Sequence, residues 1–166
     1  MTAAAPVTAT AIRRYWLLKT EPGCFSYDDL LAAPHQTTHW SGVRNYQARN
    51  LMRDEMKQGD GVLFYYSSAN PPGIVGTAEI ARAGYPDFTA WDADDEHFDQ
   101  KSTKSNPVWY MVDVRAGRRF DNFLALGDLR HMRALEGMEL LKRGSRLSVQ
   151  RVTEGEWQAI CKMGGF

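Results

Sequence analysis

Strand-like and helical segments do not alternate regularly along this sequence, and this order restricts the sheet that the strands can form. Short apolar runs typical of strands occupy residues 14–19, 62–67, 74–80, 108–115 and 147–152. A turn rich in Pro and Gly joins the second run to the third, which predicts an antiparallel hairpin. Gly76 inside the third run indicates a bulge or a close backbone contact. Helical crossovers are too few for a doubly wound sheet. We therefore expect an α+β fold, a mixed and mostly antiparallel β-barrel with helices at its ends.

Four segments carry helix signals, and one of them predicts a short helix near Asp128–Leu135. Ser26 is placed to cap a short helix, and Thr153-x-x-Glu156 is a capping box ahead of a closing helix. The best helix pattern covers residues 43–57, because one face collects the apolar side chains of Ala48, Leu51, Met52 and Met56.

The length and composition are those of one ordinary globular domain. The chain has 166 residues, of which 43% are hydrophobic and 24% charged. We assign residues 1–13 to a flexible N-terminal tail without signal-peptide features and residues 14–166 to a single domain. No run approaches the roughly 20 apolar residues of a membrane span. Cys24 and Cys161 have no metal-binding spacing, so we expect reduced thiols and a cytoplasmic setting.

The charges balance over the whole chain but not along it. Lys plus Arg and Asp plus Glu both number 20, which argues against a protein that holds nucleic acid by charge alone. Six acidic residues and no Lys or Arg lie in the acidic stretch, residues 87–99, whereas residues 115–151 hold nine basic and four acidic residues. A one-sided basic surface is therefore compatible with the neutral total. Any nucleic-acid binding should depend only weakly on salt.

Familiar catalytic and metal-binding motifs are absent from the sequence. It contains no phosphate loop, nucleophile elbow, dinucleotide-binding glycine motif or zinc-protease motif. His35 and His39 are four residues apart, but Pro34 disfavours a helical ligand pair. Asp92-x-Asp94 lacks the glycine and the bidentate Glu of a calcium loop. We predict no metal and no cofactor.

The most informative segment is residues 39–50, where aromatic and polar side chains gather before the best helix. Trp40 could stack on an extruded base, a contact that contributes roughly 1–3 kcal/mol. The Asn45 amide could pair with a base edge, and the helix amides would attract phosphate. The alternative is that Trp40 and Tyr46 belong to the core and that Arg44 is a surface charge.

Two further groups of side chains are candidates. Alternation along residues 64–68 sends Tyr65 and Ser67 to one face of their strand. Lys101 and Lys104 with Trp109 could form a basic lip beside an aromatic wall. The alternatives are a β-rich aromatic core for the first group and a surface loop for the second.

Taken together, these segments resemble the EVE domain in order and spacing over residues 14–162. The resemblance rests on Tyr-Trp-Leu-Leu-Lys-Thr-Glu-Pro at 15–22, Phe-Ser-Tyr-Asp-Asp-Leu at 25–30 and Trp-Ser-Gly-Val-Arg-Asn-Tyr-Gln-Ala-Arg-Asn at 40–50. Gly-Asp-x-Val-Leu-Phe-Tyr-Tyr-Ser at 59–67, Pro-Gly-Ile-Val-Gly at 72–76 and Arg-Leu-Ser-Val-Gln-Arg-Val at 146–152 also match. The segment at 40–50 is the most specific of these.

This resemblance implies a PUA-like fold and a pocket for a modified base, with modified cytosine in DNA favoured and RNA as the alternative polymer. Trp40 resembles the stacking wall, and Trp109 a second wall. The remaining implied pocket residues are Lys19, Thr20, Ser41, Asn45, Tyr46, Tyr65 and Ser67. Ser41 stands where the family motif has Asp or Glu. For the nucleic-acid backbone we expect contacts from Arg44, Arg49, Lys101 and Lys104.

Two other functions compete with a non-catalytic reader. Some PUA-like relatives resemble small amidohydrolases of modified nucleosides that use Lys, Thr and Glu, and here Lys19, Thr20 and Glu79 are the candidates. That alternative requires the three side chains to converge within hydrogen-bonding distance in one pocket. The third hypothesis is a protein-interaction module that uses the acidic stretch.

Overall fold

Six strands form one sheet in the computed structural model, which describes residues 12–166. The strands are β1 (Tyr15–Thr20), β2 (Thr37–Trp40), β3 (Gly61–Tyr66), β4 (Gly73–Pro86), β5 (Tyr110–Ala125) and β6 (Val149–Val152). The helices are α1 (Tyr27–Ala32), α2 (Tyr46–Asn50), α3 (Leu126–Leu129) and α4 (Glu154–Gly164). Of the predicted tail, residues 1–13, all but Ile12 and Arg13 lie outside the described range. No helix in residues 12–166 is long and apolar enough to cross a membrane.

The sheet is mixed and mostly antiparallel, as predicted. Its order is β2-β5-β4-β3-β1-β6, and β1 with β3 is the parallel pair. The hairpin of β3 and β4 is antiparallel, which confirms that prediction. The predicted closure into a barrel is not found, because within residues 12–166 β2 and β6 remain the two edges of an open sheet.

The sheet curves strongly although it does not close. Trp40 in β2 and Phe64 in β3 are separated by three strand spacings, about 14 Å in a flat sheet, yet their ring centres are 5.5 Å apart. The register between β4 and β5 shifts at several points, one of them at Gly76, and such bulges bend the paired strands. A Cβ atom at Gly76 would lie 2.6 Å from the Arg118 carbonyl oxygen. The predicted close backbone contact at Gly76 is therefore confirmed.

Each face of the sheet covers its own hydrophobic core. Alternation along β1 sends Trp16 and Leu18 to the concave face, where they join Trp40 and Phe64. Leu17 joins a second cluster on the opposite face, which also contains Tyr65 and the buried side of α4. The two faces thus place Trp40 and Tyr65 on opposite sides of the sheet.

The predicted cap at Ser26 and the predicted capping box at Thr153 are both confirmed. The Ser26 hydroxyl accepts from the Asp29 backbone N–H at the start of α1, and Thr153 accepts from Glu156 at the start of α4. The long helix predicted over residues 43–57 is wrong in extent. Helix α2 begins only at Tyr46, with Asn45 as its cap, and changes to a π-helical turn over Leu51–Glu55. Residues before Asn45 are held in a loop by contacts that are not local in sequence.

The sequence pattern missed β2 and underestimated β4 and β5. Strand β2 has only four residues, and its partner is β5, more than 70 residues away. Strands β4 and β5 have 14 and 16 residues and support each other over most of their length. Cross-strand pairing stabilises these polar ends, which carry no apolar alternation of their own.

We predict that Gly76→Ala lowers the unfolding free energy by about 1–3 kcal/mol, because the new methyl group meets the β5 backbone. Thermal unfolding measures this as a loss of roughly 3–10 °C. Gly127→Ala is the matched control, since nothing lies within 4 Å of a Cβ atom there. Equal melting temperatures for both variants would contradict the tight contact between β4 and β5.

Candidate functional site

A cavity of about 570 Å³ lies between the β2 edge of the sheet and the end of β1. We call it the Trp40 cavity. Its walls come from the turn after β1, from β2 with the loop that follows, from the acidic stretch and from the residue before β6. The lining residues are Lys19, Thr20, Glu21, Cys24, Phe25, Thr38, His39, Trp40, Ser41, Gly42, Val43, Arg44, Glu96, His97 and Ser148. The size is within the usual range for small-ligand sites.

Trp40 forms the aromatic wall of this cavity and is held by two other rings. Phe25 and Phe64 meet it edge to face, with ring centres at 6.2 and 5.5 Å. The Trp40 side chain is therefore fixed although its residue is 9% exposed. The cavity thus has a rigid aromatic ring in its wall.

A buried carboxylate, Asp87, holds the loop that follows Trp40. It is fully buried and accepts from the Gly42 backbone N–H at 2.8 Å and from Arg44 Nη1 at 2.9 Å. Thr89 donates to it through both its backbone N–H and its hydroxyl. Burial raises the pKa of Asp87, but the hydrogen bonds from Thr89, Gly42 and Arg44 outweigh burial and hold the pKa below its usual range. Asp87 is therefore a buried anion that positions the cavity wall.

Arg44 is a positioning residue and not a free cation. Its Nε donates to the His97 carbonyl, Nη1 to Val43 and Asp87, and Nη2 to Thr89 and His97. These contacts use all five N–H groups of the guanidinium. The contact predicted between Arg44 and the nucleic-acid backbone stays a prediction, and in this structure oxygen atoms of the protein accept from all five donors.

The acidic stretch supplies a wall that the sequence did not predict. The His97 imidazole packs against Gly42, whose φ of +81° suits glycine, and a Cβ atom there would lie 2.6 Å from His97 Nε2. Glu96 lies beside it on the same cavity wall. No local signal marks His97 or Glu96 in the sequence, because only the fold brings residues 96–97 against residue 42.

A second aromatic group lies outside the Trp40 cavity. Tyr46 stacks on Trp109 with ring centres 5.0 Å apart, and the guanidinium of Arg49 lies 4.9 Å from the Tyr46 ring centre. The Trp109 indole N–H donates to Asp99, and Arg49 donates to the Val108 carbonyl. Asn45 accepts from the Ala48 N–H as a helix cap. None of these four predicted residues lines the cavity.

Tyr65 and Lys19 meet on the opposite face of the sheet. The Lys19 ammonium lies 5.6 Å from the Tyr65 ring centre, although Lys19 also borders the cavity. Burial lowers the pKa of Lys19, and the charge of Glu139 opposes this effect. Ser67 contacts Thr20 through its backbone N–H and does not line the cavity. Alternation placed Tyr65 and Ser67 on one face of their strand, and neither residue lines the Trp40 cavity.

The two predicted lip lysines also lie outside the cavity lining. Lys101 is exposed, and its backbone N–H donates to Asp99. The Lys104 ammonium lies 5.9 Å from the Trp91 ring centre. The acidic stretch itself is partly structural, because Asp87 is buried and Asp99 holds Trp109.

The three side chains of the amidohydrolase alternative do not converge. The Thr20 hydroxyl donates to the Phe25 carbonyl at 2.9 Å. Glu79 forms a salt bridge with Arg115. In the sheet, Gly61 of β3 pairs with Glu79 on one side and with the start of β1 on the other, and Lys19 lies about 13 Å further along β1. This geometry does not meet the requirement for that enzyme. Within residues 12–166 no group of three His, Cys, Asp or Glu side chains is arranged to hold a metal.

The chain is similar to proteins of one family over nearly its whole length. The EVE domain matches residues 14–163. Thymocyte nuclear protein 1 of Gallus gallus is 42% identical over 90% of this chain and 68% of the relative. The structure of a hypothetical protein from Leishmania major has a TM-score of 0.86 at 48% identity, covering 92% of this chain and 95% of that one. The structure of human THYN1 protein in complex with DNA containing 5-methylcytosine has a TM-score of 0.85 at 38% identity, covering 92% and 98%.

We predict that Asp87→Asn lowers the unfolding free energy by about 3 kcal/mol at neutral pH, because it removes the charge of a buried ion pair and replaces one acceptor oxygen by a donor. The low folded-state pKa of Asp87 stabilises the protein above the unfolded pKa of about 3.9, and this contribution is lost as the pH falls below it. Denaturant unfolding at several pH values should therefore show the difference between wild type and variant shrinking below about pH 4. Asp121→Asn, an exposed control, should change stability by less than about 0.5 kcal/mol.

Proposed function

This chain belongs to the EVE domain family, and from that premise we propose that it is a non-catalytic reader of modified bases in nucleic acid, with modified cytosine in DNA as its ligand. The observation that carries the proposal is the Trp40 cavity, whose wall contains an indole ring fixed by Phe25 and Phe64. The complex of human THYN1 protein with 5-methylcytosine-containing DNA supports the same ligand class.

The cavity has the two surfaces that an inserted base needs. Trp40 provides a flat aromatic face, and stacking on such a face contributes roughly 1–3 kcal/mol per base. Phe25 and Val43 add apolar wall on which a methyl group at the base edge would lose contact with water. RNA with an unpaired modified base would meet the same surfaces.

The polar groups of the cavity favour cytosine over thymine. Two acidic residues, Glu21 and Glu96, and one basic residue, Lys19, are in its lining, while the charge of Arg44 is compensated by Asp87. A carboxylate accepts from the exocyclic amino group of cytosine, whereas thymine has a carbonyl oxygen at that position. These two glutamates supply the acidic character that Ser41, in place of the family's Asp or Glu, does not.

The separation of Lys19, Thr20 and Glu79 supports a protein that binds without catalysis. The strongly curved, mixed sheet supports the PUA-like assignment that the resemblance implies. Both cysteines are free, and a cytoplasmic setting stays a prediction beside relatives that are named nuclear proteins. Because a base must leave its stack to enter the cavity, unpaired or distorted sites should bind best.

We expect selective binding of oligonucleotides that contain methylcytosine, and Trp40→Ala should weaken that binding roughly 10-fold or more through the loss of stacking. Fluorescence anisotropy with methylcytosine, hydroxymethylcytosine, methyladenine and unmodified strands measures the selectivity. Trp40→Phe, which keeps a ring but removes the indole N–H, should retain part of the affinity.

Trp91→Ala is the matched control, because it removes an indole that does not line the cavity. Circular dichroism establishes that each variant is folded. If folded Trp40→Ala keeps the affinity and selectivity of the wild type, the Trp40 cavity is not the base site.

We further predict that Glu21→Ala with Glu96→Ala reduces the preference for methylcytosine over thymine, because the carboxylate acceptors are lost. Competition between two otherwise identical strands measures the ratio directly. Glu154→Ala with Asp121→Ala removes two exposed carboxylates elsewhere and should leave the ratio unchanged. If the variant that lacks both Glu21 and Glu96 keeps the wild-type ratio of affinities, groups other than these carboxylates select the base.

A further inference from the structure

The basic segment at residues 115–151 divides into paired and unpaired side chains. Five of its nine basic residues lie within salt-bridge distance of a carboxylate: Arg115, Arg118, Arg119, Lys142 and Arg151. In the part of the chain that the structure describes, the other four form no salt bridge: Arg130, Arg133, Arg143 and Arg146. All four are exposed. We call these four arginines the basic ridge.

The members of the ridge come from two loops that are joined in space. Arg130 Nη1 donates to the Leu141 carbonyl at 3.4 Å, which brings the turn after α3 to the loop before β6. A shallow cavity of about 460 Å³ lies between them, and its lining includes Arg130, Arg133 and Leu141 together with one acidic residue, Glu136. Two of the four ridge arginines therefore share one concave surface, and Arg130 links it to the loop that carries Arg143 and Arg146.

The ridge borders the Trp40 cavity. Ser148 lines that cavity, and its carbonyl accepts from the Lys19 backbone N–H at 2.9 Å, which fixes the loop to β1. Arg146 is two residues before Ser148, a distance of at most about 7 Å along the chain. The backbone of Arg146 is thus held beside the mouth of the cavity, and its side chain is exposed.

We propose that the basic ridge binds the phosphates that flank the base inserted beside Trp40, an inference that rests on the proposed function. A guanidinium matches the geometry of a phosphate and can bind it through two parallel N–H groups. Arg44, near the same cavity, has no free donor for this task. The sugar–phosphate backbone therefore leaves the cavity past Arg146 and Arg143.

A nucleic acid fits this surface better than a membrane does. Peripheral membrane binding combines basic residues with inserted apolar side chains. The exposed large hydrophobic residues of residues 12–166 are Ile12, Tyr46, Phe88, Phe98, Phe123 and Phe166, and none lies within the two ridge loops. Because the ridge borders the Trp40 cavity, one nucleic-acid strand can place its base in the cavity and its phosphates on the ridge.

The test is the salt dependence of binding to a short single-stranded oligonucleotide with one methylcytosine. Each phosphate contact contributes about 0.7 to the slope of log affinity against log salt for a single strand. Arg143→Gln with Arg146→Gln should therefore reduce the slope by about 1.4. The ratio of affinities for methylated and unmodified strands should stay that of the wild type.

Arg53→Gln with Arg115→Gln is the matched control, because it removes the same charge from two arginines that are paired with carboxylates. An unchanged slope in the ridge variant, or an equal reduction in the control, would overturn the proposal. A wild type that binds no oligonucleotide would also overturn it. So would a ridge variant that no longer binds phosphatidylserine vesicles but keeps the wild-type slope. If the slope falls in the ridge variant but the wild type does not distinguish methylated from unmodified strands, phosphate binding by the ridge is supported and the base-reader function is rejected.

Discussion

The buried carboxylate of Asp87 is the interaction on which the functional end of the molecule depends. A charge without access to water is tolerated only when donors surround it, and here the donors come from the loop after β2 and from Thr89. Because Gly42 and Arg44 must reach this anion, the chain cannot enter a helix before Asn45. The same contacts hold the acidic stretch against the loop through the His97 carbonyl.

The open, curved sheet explains why a cavity exists at this place. Bulges in β4 and β5 bend the sheet until Trp40, near one edge, packs on Phe64 in its middle. The Trp40 cavity then lies between β2 and the chain that enters β6. A sheet closed into a barrel would pair these two edges through their backbones and leave no room for a ligand between them.

The arginines of this protein have two kinds of environment, and the difference separates structural from candidate binding roles. Arg44 and Arg49 lie close to aromatic rings, and five hydrogen bonds from Arg44 and three from Arg49 go to oxygen atoms of the protein. The basic ridge has almost no such partners and points to water. A chain with zero net charge can in this way combine a cavity that carries carboxylates with a local cationic surface at its mouth.

Local patterns were sufficient for the elements whose stabilising contacts are local. The helix caps at Ser26 and Thr153 and the hairpin of β3 and β4 follow from neighbours within a few positions. The open sheet, the short strand β2, the start of α2 and the separation of Tyr46, Tyr65 and Trp109 from the cavity do not. Those features depend on contacts between residues tens of positions apart, such as Asp87 with Arg44 and His97 with Gly42, which only the tertiary structure brings together.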